Sequence, residues 1–141
     1  QWLVNIPVLS SAVQRYILRL GSQRRDGDAT DLFNTGGFGI EYSDNVNSGR
    51  WVVKYGNGAP TLVNTAQAVT TGTHLVELSI GNGTLVFSLN GTPAYTNNSA
   101  SLGASPVDEA GLHVPALSVA KTVGTTPVQT HVRGFRLYYK H

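Results

Sequence analysis

Apolar residues recur at every second position along most of the chain, in short runs closed by Gly, Asn, Pro or Asp. That is the pattern of extended strands with one buried face. Leu3 to Leu9 is a first candidate strand. In "RYILRLG", Tyr16, Leu18 and Leu20 face one way, and Arg15, Ile17 and Arg19 the other. "FGIEYS" places Phe38, Ile40 and Tyr42 on one face, and "RWVVKYG" places Trp51, Val53 and Tyr55 on one face opposite Val52 and Lys54. "TLVN" offers a short strand. "HLVELSIG", "TLVFSLNG", "AGLHVPALSVAK" and "THVRGFRLYYKH" supply further strands.

The punctuation agrees with antiparallel pairing. Asn82-Gly83 and Asn90-Gly91 are dipeptides that tolerate positive φ in tight hairpin turns, and the spacing between them predicts a meander of three successive strands. "DNVNSG" is a hairpin linker of Asx and Gly type. Pro93 and Pro115 each lack a backbone donor, which suits an edge or a bulge. No segment sustains a helical period; "SSAVQRYILRL" comes nearest and reads equally well as a strand. Eight to eleven short strands argue for a two-sheet antiparallel sandwich or a barrel, in one domain over residues 1–141. Ile17, Val52, Leu75 and Val86 are apolar on the outward face, so part of a second face is expected to be covered, by a loop or by another subunit.

Composition narrows the classes. Charged residues are 13%, below the roughly 25% of an average domain. A net charge of +2 carries no basic stripe, since the Lys and Arg are scattered and only Arg24 and Arg25 are adjacent. Nucleic-acid binding is therefore not expected. Without cysteine there are no disulfides, thiolate metal sites or thiol chemistry. No apolar run is long enough for a membrane span, so no membrane insertion is expected. The chain also lacks methionine, which leads us to expect a processed chain or an excised domain of a larger protein.

The order of the pieces carries a resemblance. A charged Gly-Asp-Thr loop, then "GFGIEYSDNVNSGRWVV", then "VTTGTHLVELSIGNGTLVFSLNGTPAYTNN", a Pro-bearing segment and a last strand "VRGFRLYY" resemble the concanavalin A-like jelly roll of bacteriophage tail-fibre, tailspike and other virion surface proteins. The shared features run from about Tyr16 to Tyr139. The resemblance implies two antiparallel sheets packed face to face, an all-β jelly-roll sandwich with little or no helix. It also implies a place on a virion surface or an extracellular protein, often in a homotrimer, with surface glycans or other virion proteins as partners. The strand, Asn-Gly, strand element is shared by laminin-G, pentraxin and legume-lectin-like domains, so it marks the fold better than the ligand.

Catalysis finds little support. Glycosidases of this fold class need paired carboxylates about one glycosidic bond apart. Glu41, Glu77 and Glu109 stand alone on their segments, and no Gly-x-Ser-x-Gly elbow is present. His74, His113 and His131 read as strand residues. Glycan binding needs an aromatic face and a few fixed amides or carboxylates. The candidates are Tyr42, Trp51 and Tyr55 on strands, with Asp44, Asn45, Asn47, Tyr95, Asn97 and Asn98 in loops. Phe38, Tyr42, Trp51, Val53 and Tyr55 alternate as a core face should, so for Trp51 a core position is favoured over a ligand contact, and Tyr42 shares that alternation. Asp26, Asp28 and Asp31 in "DGDATD" form a candidate Ca²⁺ loop; it departs from EF-hand spacing, and Arg24 and Arg25 can neutralise the same acids. No cofactor is otherwise expected. The expectation is a non-enzymatic virion surface module for glycan or receptor attachment or for structural assembly. The alternative is a carbohydrate-binding module of a secreted polysaccharide-degrading enzyme.

Overall fold

The computed structural model describes residues 1–24, 37–56, 60–81, 84–98 and 113–136. Ten strands lie in this part of the chain: β1 (Trp2–Ile6), β2 (Tyr16–Arg24), β3 (Gly37–Tyr42), β4 (Arg50–Gly56), β5 (Thr61–Ala68), β6 (Gly72–Gly81), β7 (Thr84–Leu89), β8 (Thr92–Asn97), β9 (His113–Lys121) and β10 (His131–Phe135). Helix among the described residues is limited to one 3₁₀ turn at Asn47–Gly49. The protein is thus all-β, in two five-stranded sheets. The first has the order β10-β1-β6-β7-β8 and the second β5-β4-β3-β2-β9. All neighbouring strands pair antiparallel.

Alternation does the assembling. Trp2, Val4, Ile6, Val76, Leu85 and Phe87 point inward from the first sheet and are buried; Tyr16, Leu18, Leu20, Ile40, Tyr42, Trp51 and Val53 do so from the second. The two faces meet through rings. Tyr16 packs edge-on against Tyr42 at 5.8 Å between centroids, Tyr42 lies 5.9 Å from Trp51, and Trp51 meets Phe87 of the opposite sheet at 6.5 Å and 65°. These are favourable edge-to-face separations.

Turn chemistry sets the registers. Asn90 and Gly91 take φ of 52° and 80°, joining β7 to β8. Asn90 also ties the turn back to β6: its backbone N–H donates to the Leu75 carbonyl at 2.8 Å, and its side-chain oxygen accepts from Leu75 N–H at 2.9 Å. Gly37 opens β3 at φ 146°, and a Cβ there would stand 2.3 Å from the Ser22 carbonyl oxygen, so only glycine fits against β2.

Pro93 and Pro115 both lie on edge strands, β8 and β9, where a missing donor breaks no central ladder. "TLVN" is only half of β5, which continues to Ala68 beyond an irregularity in its pairing with β4. The second face is covered in part. Val52 is buried, whereas Ile17, Leu75 and Val86 are half-buried.

Phe87 is fully buried where the two sheets meet. Phe87→Ala should lower stability by about 3–5 kcal/mol, seen as a lower urea midpoint at unchanged slope. A loss under about 1 kcal/mol would contradict the described packing.

Candidate functional site

The candidate residues fall into four groups. Tyr42 and Trp51 point into the inter-sheet core, and neither offers a ring face to solvent. The Trp51 indole N–H has no hydrogen-bond partner among the described residues. Tyr42 accepts the Ser10 backbone N–H at 3.0 Å through its hydroxyl, and burial pushes its phenol pKa up. The core reading of these two rings is the one the structure has.

The second group is the β3–β4 connection, where polar side chains serve the fold. Asp44 is clamped by Arg15, with Nε to Oδ1 at 2.9 Å and Nη2 to Oδ2 at 3.0 Å, and it accepts from Ser10 Oγ at 2.6 Å. Ser10 Oγ in turn accepts the Tyr16 N–H at 3.1 Å. The Arg15 hydrogen bonds, followed by the one from Ser10, hold the Asp44 carboxyl below the usual carboxylate range against the opposing effect of desolvation. Asn47 Nδ2 donates to the carbonyls of Trp51 at 3.1 Å and Thr65 at 2.9 Å, bracing the start of β4. Asn45 Oδ1 accepts from Ser43 Oγ at 2.8 Å.

The third group converges. Tyr95 and Asn97, expected in a loop, lie on β8 paired with Phe87 and Leu85 of β7, and they meet Tyr55 near the end of β4 where β5 and β8 approach across the sandwich. Asn97 Nδ2 donates to the Tyr55 hydroxyl at 2.9 Å, and the Tyr55 and Tyr95 hydroxyl oxygens are 3.5 Å apart. Both rings are half-buried, packed against the core on one side, and Asn98 follows in an exposed position. Desolvation, then the Tyr55 hydrogen bond, push the Tyr95 phenol up to about 12. Tyr95 is therefore a neutral hydroxyl at physiological pH, able to donate and to accept. A phenol pair beside an amide offers apolar ring surface and neutral hydrogen-bonding groups, without a nucleophile or an acid tuned near pH 7.

The last group, Asp26, Asp28 and Asp31, lies outside the described residues, as do Glu109 and the greater part of the charged loop. Among the described residues no cluster of three or more His, Asp or Glu stands ready to hold a metal ion.

Sequence reasoning missed how the acidic side chains are used. Glu41 accepts from both Arg19 Nε and Lys54 Nζ at 2.7 Å, and all three side chains are largely buried on the outer face of the second sheet. Glu77 accepts from the Gln1 side chain on the first sheet. These two glutamates belong to opposite sheets and cannot flank one glycosidic bond. The outward period-two positions of Arg19, Glu41 and Lys54 were the available signal. A further feature unmarked in the sequence is an apolar pocket of about 280 Å³ beside Tyr16, lined by Pro7, Val8, Leu9, Pro127 and Val128 among others. It sits at the Tyr16 and Tyr42 end of the second sheet; the Tyr55 cluster sits at the other end.

Comparison with protein-family models, with curated proteins and with solved structures gives no match.

Because Asp44 has a depressed folded-state value, its contribution is present above the unfolded carboxyl value near 3.8 and is lost as pH falls through the folded one. Asp44→Asn should lower the melting temperature at pH 7, and the gap to wild type should close below about pH 4. A gap that persists unchanged at about pH 2 would show that the carboxylate charge is irrelevant.

Proposed function

We propose that the chain is a non-enzymatic jelly-roll module of the concanavalin A-like kind, displayed on a virion or a comparable exposed surface, and that it attaches to glycans through the rim formed by Tyr55, Tyr95, Asn97 and Asn98. The observation that carries this reading is the meeting of Tyr55 and Tyr95 hydroxyls and the Asn97 amide from two different sheets. Sugars present apolar C–H faces and fixed hydroxyls; half-exposed tyrosines beside asparagines answer both. The jelly-roll assignment and the virion setting rest on the sequence resemblance; the two antiparallel sheets support a β-sandwich.

The absence of catalysis is part of the proposal. Glu41 is held by two cations and Glu77 lies on the other sheet, so the described carboxylates offer no general acid and nucleophile flanking a shared bond.

A glycan array probed with the intact chain should give binding. Tyr55→Phe, Tyr95→Phe and Asn97→Ala should each weaken the best hit about tenfold, the equivalent of roughly 1.4 kcal/mol per lost hydrogen-bonding group. The two Phe variants keep the ring packing and should melt close to wild type. An empty array, or Phe variants that bind as well as wild type, would remove this rim as the attachment site.

A further inference from the structure

The two sheets present four edge strands among the described residues, and three carry devices that discourage pairing. β8 holds Pro93, β9 holds Pro115 and Lys121, and β10 holds His131, Arg133 and Gly134. β5 reads TLVNTAQA, eight residues with neither proline nor charge. Soluble proteins normally blunt an edge with proline, lysine, a bulge or a cover, because its unsatisfied N–H and C=O groups template another strand.

The geometry of β5 leaves a clean pairing segment. From Thr61 to Asn64 it runs in unbroken register with Tyr55 to Val52. Thr61, Leu62 and Asn64 are exposed, Leu62 at 59%. Beyond Asn64 the chain bulges against Trp51, and the bulge is fixed from inside: Thr65 Oγ1 donates to the Trp51 carbonyl at 2.7 Å, and Asn47 Nδ2 donates to the Thr65 carbonyl. The irregularity is thus accounted for by bracing β4, and among the described residues it leaves the Thr61–Asn64 edge of β5 without a neighbouring strand.

We propose that β5 pairs antiparallel with β5 of a second copy of this chain, extending the second sheet through a twofold axis. Self-pairing fits this edge for two reasons. An antiparallel pair of identical strands is self-complementary in hydrogen bonding, donor facing acceptor on both chains. It is also complementary in charge, because a neutral strand brings no like charges face to face. By the same criterion, β10 pairing with itself would bring Arg133 and His131 of two copies onto one short edge, and β9 would do so with Lys121. The paired edge would also bring Leu62 of both copies toward the seam, reducing an exposed apolar surface. The inference stands independently of glycan attachment.

Sedimentation or light scattering over a wide concentration range tests it. Wild type should show twice the chain mass at high concentration. Leu62→Lys combined with Asn64→Lys should halve that mass with little change in melting temperature, whereas Val132→Lys on β10 should leave it doubled. Hydrogen exchange on wild type provides a readout that needs no variant: protection of the Thr61–Asn64 amides should rise with concentration. A monomer throughout, a mass of three chains, a dimer that survives both lysines, or concentration-independent β5 exchange would overturn the proposal.

Discussion

Four rings set the spacing and register of the molecule: Tyr16, Tyr42 and Trp51 on the second sheet, and Phe87 on the first, in a chain of edge and tilted contacts. A one-residue slip of any of their strands would turn a ring outward and leave its partner facing a void. Once the rings are inward, the rest follows from alternation. Tyr16 and Tyr42 place Ser10 and Asp44 at one end of the second sheet, where Arg15 fastens the β1–β2 connection. At the other end of β4 the same inward alternation delivers Tyr55 to the rim, where Tyr95 meets it.

The core thereby decides which aromatics remain for recognition. Trp51 and Tyr42, candidates for a sugar platform whose alternation also marked them as core, are consumed by packing. Tyr55 and Tyr95 stop short of full burial because their strands end at the sandwich margin. Charge is handled in a similarly local way. Each described acidic side chain of the strands and their turn, Glu41, Asp44 and Glu77, is bonded to a neighbour. Much of what the described surface offers is accordingly amide, hydroxyl and aliphatic, suited to neutral polar ligands or to another copy of the sheet.

Local rules made much of this legible. Period-two alternation located the strands, Asn90-Gly91 located a hairpin, and the prolines located two edges, because each of these depends on a few adjacent residues. What sequence could not supply is long-range pairing. β1 lies between β6 and β10, so that the Gln1 amino group donates to the Arg136 carbonyl at 2.9 Å, and no local pattern encodes that closure. Nor could alternation separate the inward rings that are sealed, Tyr42 and Trp51, from Tyr55 at the margin: all three share a periodicity and differ only in what lies opposite. The bracing of Asn47 against Thr65, across eighteen residues, explains why an Asx-rich loop that reads as ligand-ready is occupied with backbone carbonyls.

The inward aromatic face is sealed between two sheets. The chain has 2 tryptophans, Trp2 and Trp51, and both are buried in that interior. Acrylamide quenching of intrinsic fluorescence reports on them directly. Blue-shifted emission that resists acrylamide until the protein is unfolded is the result predicted here; red-shifted emission quenched as readily as free indole in native buffer would contradict the sandwich and every role assigned from it.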